Sequence, residues 1–327
     1  MLYETEEGLP ERIPLRAGPL TLLYEAGHLR YVRVGSREVV RMVYAAVRDH
    51  NWLTVAGRIE NERRDIRPDS FRITYDCHYA DGPVRFRAHY VLAGSPDGRI
   101  TCRMEGEALT AFRKNRIGFC VHHPVREMMG VACTVTHPDG TTSEAPFPVP
   151  VSPHQPFRNI REMAWPLAGG CRARLQFAGD VFETEDQRNW TDGSYKTYCT
   201  PLERPFPVPV AAGESVRQEI TLTLEGTCTA AGEVTGPPVF ALRPGPARPF
   251  PAVGLGHAAE GASLGLREVE WLKALHLHHY RVDVPLHAPG WREGFARAAR
   301  EAQKLALPLE AALFFGADPA AEADAFA

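Results

Sequence analysis

The chain has 327 residues, 44% hydrophobic and 24% charged, the balance of an ordinary globular protein, which excludes global disorder, a collagen-like chain and a small disulfide scaffold. Lys and Arg number 37 against 40 Asp and Glu, a formal net charge of −3, so the chain has no electrostatic footprint for nucleic acid or an anionic membrane surface. No apolar run reaches the roughly 18 residues of a membrane span. The acidic start, MLYETEEGLPERIPLRAG, lacks the basic-then-apolar order of a signal peptide, and the expected compartment is the cytoplasm.

Residues 1–235 read as an antiparallel β-sandwich. Apolar and polar residues alternate with period two, the pattern of half-buried strands. The clearest run is Val84–Val91, where Val84, Phe86, Ala88 and Tyr90 face one way and Arg85, Arg87 and His89 the other. Similar runs occupy Leu29–Val34, Phe71–His78, Ile100–Glu105, Val131–Thr136, Cys171–Phe177 and Val216–Leu224. Asp81-Gly82-Pro83, Ser95-Pro96-Asp97-Gly98 and Pro138-Asp139-Gly140 supply turns between them. The seven cysteines are odd in number and without a close pair, a poor disulfide or zinc framework. Cys77, Cys102, Cys133 and Cys171 instead fall on apolar strand faces, and all seven are expected to be reduced, serving as small core hydrophobes.

The Pro- and Gly-rich segment 236–251 suits neither helix nor central strand and is expected to be a linker. In 252–327 the period changes. Ala252–Leu255, Tyr280–Val284 and Leu309–Phe315 read as short strands. Leu264–Leu277 and Trp291–Leu305 carry helical stripes, and Asp318-Pro319 opens a third helix. The order β-α-β-α-β-α belongs to parallel sheets. A (β/α)8 (TIM) barrel needs roughly 250 residues, so this part is expected to be the first three βα units of a barrel, with the chain truncated; the alternative is a small three-stranded α/β appendage packed on the sandwich. Its uncovered inward face is expected to be apolar, drawn from Val253, Leu255, Val282, Val284, Leu313 and Phe315.

The densest polar segment is FETEDQRNWTDGSYKTYCTPL, residues 182–202. It follows neither apolar period and sets Glu183, Glu185, Asp186, Arg188, Asp192 and Lys196 around Trp190, Tyr195 and Tyr198. Carboxylates and amides bind paired hydroxyls and an aromatic face covers the C–H side of a sugar ring, so the segment suits a polyol. It equally suits a long loop held by internal ion pairs, plugged by Trp190. In FRKNRIGFCVHHP, residues 112–124, Ile117, Phe119 and Val121 alternate as a buried strand. Asn115 and Arg116 at its start and His122 near its end suit an oxyanion or carboxylate; they equally suit a solvated strand end with one core histidine. His257 and Asp283 stand at or near the carboxyl ends of the first two parallel strands, the side that carries barrel active sites. His276, His278 and His279 lack the helical i, i+4 spacing of a metal pair, and no P-loop, GxGxxG, HExxH or GxSxG is present. No metal or other cofactor is expected.

These two segments, with PFPVPVSPHQPFRNIREM at 146–163 and the Pro-rich entry into the α/β region, resemble the D-apionate lactonase family. The resemblance implies a β-sandwich, a (β/α)8-type catalytic domain and a further C-terminal β-domain. It also implies hydrolysis of D-apionolactone, a small sugar-acid lactone, to D-apionate. Residue type and motif density, rather than the resemblance, nominate the site. Glu185, Asp186 and Arg188 are the catalytic candidates. Asn115, Arg116, His122, Asn189, Trp190, Asp192, Tyr195, Lys196, His257 and Asp283 are the substrate-binding ones. A glycoside hydrolase and a non-catalytic carbohydrate-binding domain are the rival readings. The oligomeric state is not legible.

Overall fold

The computed structural model describes residues 10–167, 170–226, 228, 245–246, 249–258 and 262–327. The chain divides into two units, 1–237 and 238–327. The expected linker, 236–251, lies mostly outside the described residues.

The first unit is built from antiparallel hairpins. β1 (Ile13–Ala17), β2 (Leu20–Glu25), β3 (His28–Val34) and β4 (Arg37–Asp49) begin one sheet, and β5 (Gly57–Ile66), β6 (Phe71–Asp81), β7 (Val84–Gly94) and β8 (Ile100–Ala108) begin a second. β9 (Phe112–Pro124) returns to the first sheet beside β4. After the single turn α1 (Val125–Met128), β10 (Ala132–Thr136) and β11 (Thr142–Pro146) join the second sheet, followed by β12 (Phe157–Ile160) in the first. β13 (Glu162–Pro166) and β14 (Arg172–Ala178) lie in the second sheet, β15 (Phe182–Asp186), β16 (Ser194–Tyr198) and β17 (Val208–Val210) in the first, and β18 (Ser215–Glu225) in the second. Among the described residues each sheet has nine strands.

The period-two residues of both sheets bury into one apolar cluster, including Tyr24, Phe86, Tyr90, Phe119, Trp165 and Phe182. An aligned sandwich requires this, because only alternate side chains of a strand reach the space between sheets. Residues 182–198 are therefore not a loop. They form the hairpin β15–β16 around a one-turn 3-10 helix, Gln187–Trp190, with Glu183 opposite Tyr198 and Glu185 opposite Lys196. Its polar residues concealed the strand period.

The cysteines require a correction. A disulfide joins Cys171 to Cys228, with Cα atoms 4.9 Å apart; the other five are free and buried. β14 and β18 are neighbours with Arg172 opposite Glu225, so the residues just before one and just after the other meet. That proximity is invisible in a linear spacing of 57 residues.

In the second unit β19 (Gly254–Gly256), β20 (His279–Pro285) and β21 (Leu309–Phe314) form a parallel sheet, joined through α2 (Leu266–Ala274) and α3 (Trp291–Leu305), with α4 (Pro319–Phe326) last. The described residues contain these three strands and no closed barrel. The expected apolar open face is corrected in part: Val253, Leu255 and Phe315 are exposed, but its other members are covered. Tyr280 packs with Val269, Ala302 and Leu305, and Val282, Val284 and Leu313 pack with Phe295 and Ala298. The helices thus take Tyr280, Val282, Val284 and Leu313. Period two leaves His279, Arg281, Asp283 and Glu310 on the other face, where Arg281 lies 3.2 Å from Asp283 and 4.0 Å from Glu310. Among the described residues no helix is long and apolar enough to cross a membrane.

Candidate functional site

The first sheet carries a cavity of about 580 Å³ on the face turned away from the sandwich core, lined from β4, β9, β15, β16 and adjoining loops. Register explains its composition. Arg48, Ala46 and Tyr44 of β4 stand opposite Arg116, Gly118 and Cys120 of β9. Cys120 and His122 stand opposite Tyr198 and Lys196 of β16, which face Glu183 and Glu185 of β15. The intervening residues Ile117, Phe119 and Val121 belong to the core. A buried sheet face and a polar one are thus written into the same strand.

The floor depends on a gap in β9. The strand pairs with β17 at Phe112–Lys114 and with β16 from Cys120 onward. Between them Gln218 of β18, in the facing sheet, takes the place of a strand. Its Oε1 accepts from the Phe119 N–H at 2.9 Å and its Nε2 donates to the Ile117 carbonyl at 3.3 Å. Gly118 has φ +154°, and a Cβ there would lie 2.3 Å from Gln218 Oε1 and 2.4 Å from Cys199 Sγ. Only glycine fits this crossing.

Arg116 is 5% exposed. Its Nη1 and Nη2 donate to the carbonyls of Asn115 and Pro201 at 2.6 and 3.0 Å, and Nε has no partner. The guanidinium sits 5.3 Å from the Trp52 ring and 5.0 Å from the Phe206 ring, and burial lowers its pKa. Trp52 is held by a turn in which the Asp49 carboxylate accepts from the N–H groups of Asn51 and Leu53, and Arg48 donates to the Trp52 carbonyl at 3.0 Å. Across the floor Glu185 pairs with Lys196 and accepts from Gln187. The Lys196 ammonium lies 5.2 Å over the Tyr198 ring. Tyr198 donates to Glu183 at 2.7 Å, and burial followed by that hydrogen bond raises its pKa. Trp190, 71% exposed, stands at the cavity wall.

The structure therefore brings together Arg116, Glu185, Trp190 and Lys196 from the sequence candidates, and adds Arg48, Trp52 and Tyr198. Others are placed elsewhere. Asp186 is buried and accepts from Arg188 Nε and Nη2 at 2.9 and 2.7 Å and from the N–H of Ser152 at 2.9 Å. Burial works to raise its pKa, but these hydrogen bonds outweigh it and hold it low. Arg188 also donates to the carbonyls of Pro148, Val149 and Pro150 and lies 5.1 Å over Tyr195. Asn189 donates to Ser152, and the Tyr195 hydroxyl to Pro148. These four residues clasp the hairpin to the 147–152 segment.

Asn115 is buried, donating to the His50 carbonyl at 3.3 Å, with Oδ1 unpartnered. His122 lies on the cavity face of β9 beyond the cavity lining. Its ring packs 5.4 Å from Tyr44, its Nδ1 is 3.3 Å from Ser194 Oγ, and burial lowers its pKa to about 4. Asp192 accepts from Ser194.

In the second unit, Arg297 donates to His257 Nε2 at 2.9 Å. Arginine has donors only, so Nδ1 carries the ring proton and gives it to Glu301 at 2.9 Å. Glu301 also accepts from Tyr280 and from the N–H of Leu264, so His257 is fastened to α3. Asp283 is exposed beside Arg281. Among the described residues no group of three His, Cys, Asp or Glu side chains is arranged to hold a metal.

Arg48 and Trp52 escaped sequence reasoning because β4 is only partly periodic. The available signal was the run Tyr44–Arg48 followed by an Asp-His-Asn turn.

Residues 1–227 match the family described as D-apionate lactonase, N-terminal domain. A D-apionate lactonase of Brucella anthropi is 31% identical over 279 residues, covering 84% of this chain and 46% of that protein. The chain thus spans about half the length of the curated relative it matches. Among solved structures, galactose 1-epimerase from Lactobacillus acidophilus aligns with TM-score 0.44 at 9% identity over 68% of this chain and 97% of that one. A β-arabinopyranosidase aligns with TM-score 0.42 at 9% identity over 92% and 55%. Both structural likenesses are weak, whereas the family match takes in well over half of the sequence, and on it the chain belongs to the D-apionate lactonase family.

Proposed function

We propose that the chain takes part in opening a sugar-acid lactone, D-apionolactone to D-apionate, and that the cavity on the first sheet is where the sandwich meets the sugar. The observation that carries this reading is the cavity's make-up within the family-matching domain: Glu185, Arg48, Arg116 and Lys196 set among Trp52, Trp190 and Tyr198. Lactone hydrolysis needs a base for water, donors for the developing oxyanion and groups that orient the sugar. Glu185 is the cavity's carboxylate and the candidate base. Arg116 and Lys196 are the candidate donors, and Trp190 the stacking face. Asp186, Arg188, Asn189 and Tyr195 serve as the frame that positions the hairpin.

The second unit is read as the first three βα units of a (β/α)8 barrel. The parallel order of its strands supports that reading. A glycosidase requires two carboxylates flanking the bond, and the cavity lining offers Glu185 alone, so that reading ranks below. The test is acid release from D-apionolactone in a pH-stat by the full chain and by Glu185→Gln. Turnover that falls at least 100-fold in the variant, at unchanged melting temperature, supports the assignment. Sugar-acid binding without any turnover would favour a non-catalytic carbohydrate-binding sandwich.

A further inference from the structure

The cavity holds more positive charge than a neutral lactone calls for. Three cations line it against one carboxylate, and that carboxylate is taken by Lys196. Among the described residues Arg48 and Arg116 hydrogen-bond to carbonyl oxygens only. Arg116 is the telling case, because it is almost wholly buried and uses two of its five N–H donors. A buried cation without a close ion pair is costly, and two carbonyls, two ring faces and the more distant carboxylates of Glu183 and Asp180 offset this only in part. The missing complement is a planar anion, since a guanidinium fork matches a carboxylate edge to edge. A volume of about 580 Å³ accommodates a five- or six-carbon chain.

We propose that this cavity is a subsite for a polyhydroxy carboxylate, the ring-opened sugar acid in preference to its neutral lactone. Arg116 and Arg48 take the carboxylate, and the Glu185–Lys196 pair and the aromatic walls take the polyol. The identity of the acid rests on the lactonase reading above. In that reaction water oxygen bonds to the carbonyl carbon, the ring C–O bond breaks, the ring oxygen leaves as a hydroxyl and the new acid releases its proton to solvent. Opening thereby creates the anion that the cavity selects, and the product competes with substrate.

Calorimetric titration of the full chain tests this with D-apionate and with a matched pair, D-gluconate and its neutral alditol sorbitol. The acids should bind at least about 10-fold tighter than sorbitol, and less tightly as salt is raised. Arg116→Gln should weaken acid binding about 10- to 100-fold, the range of a charge-assisted pair. Should that variant unfold, Arg48→Gln, at a less buried position, should still weaken it about 3- to 10-fold. Equal affinity for acid and alditol, or acid affinity unchanged in folded Arg116→Gln and Arg48→Gln, overturns the proposal. A chain that opens the lactone but binds no acid also overturns it and leaves the lactonase reading standing. A chain that binds acids through Arg116 but never opens the lactone upholds the subsite and overturns that reading instead.

Discussion

Replacing Arg188 by alanine removes the clasp between the β15–β16 hairpin and residues 147–152. The lost interactions are two hydrogen bonds to Asp186, three to the carbonyls of Pro148, Val149 and Pro150, and the cation over Tyr195. Asp186 then keeps the Ser152 N–H, but its wholly buried carboxylate loses its counter-ion. Breaking a buried pair from one side costs roughly 3–5 kcal/mol. Arg188 retains some exposure, 17% of its side chain, so the lower end applies, about 3 kcal/mol. For a domain of this size that corresponds to a fall in melting temperature of about 6–12 °C. Urea unfolding of the full chain is the assay, with the midpoint falling at constant slope.

The pH dependence gives a second handle on the same pair. Asp186 has a lower pKa folded than unfolded, so it binds fewer protons in the native state. Its contribution is complete above the unfolded value of about 3.9 and is lost as pH falls through the folded value. Arg188→Ala should flatten that acid limb. The double variant Asp186→Leu/Arg188→Met, which leaves no buried charge, should recover most of the loss. A single-variant cost under about 1 kcal/mol, well below the range for a broken buried pair, would refute the clasp.

Three further outcomes are expected. Trp190→Ala should leave the melting temperature within about 2 °C, because an exposed ring has little packing to lose, yet weaken sugar-acid binding about 3- to 10-fold by loss of a stacking face; calorimetry and thermal melts on one preparation separate the two effects. Gly118→Ala should destabilise the sandwich by about 2 kcal/mol or more, since the added methyl overlaps Gln218 and Cys199, and a urea midpoint within error of the parent would contradict the Gln218 bridge. His122 and His123, with pKa values lowered by burial to about 4 and about 3, bind fewer protons folded than unfolded. Stability should therefore be full above about pH 6.5 and erode towards pH 4, with His122→Gln reducing the slope of urea stability against pH over that window.

Local residue patterns determined much of this protein. Period two at Val84–Val91 and Phe71–His78 placed strands that the structure extends only at their ends, because an alternating strand has one way to bury its apolar side. The stripe at Trp291–Leu305 marked a helix with the same bounds as α3. Residues 182–198 were legible as chemically dense but not as a hairpin, since their alternate positions hold Glu183, Glu185, Lys196 and Tyr198 rather than apolar side chains. Tertiary structure alone decided which of those charges meet. Adjacent residues Glu185 and Asp186 point to opposite faces of one strand, so one lines the cavity and the other is sealed beneath Arg188. Arg48 comes from β4, far away in sequence, and stands opposite Arg116 only through sheet register. Cys171 finds Cys228 for the same reason, through the pairing of β14 with β18. Composition and spacing record what a segment carries; the register between strands distant in sequence records what it touches, and no single segment contains that information.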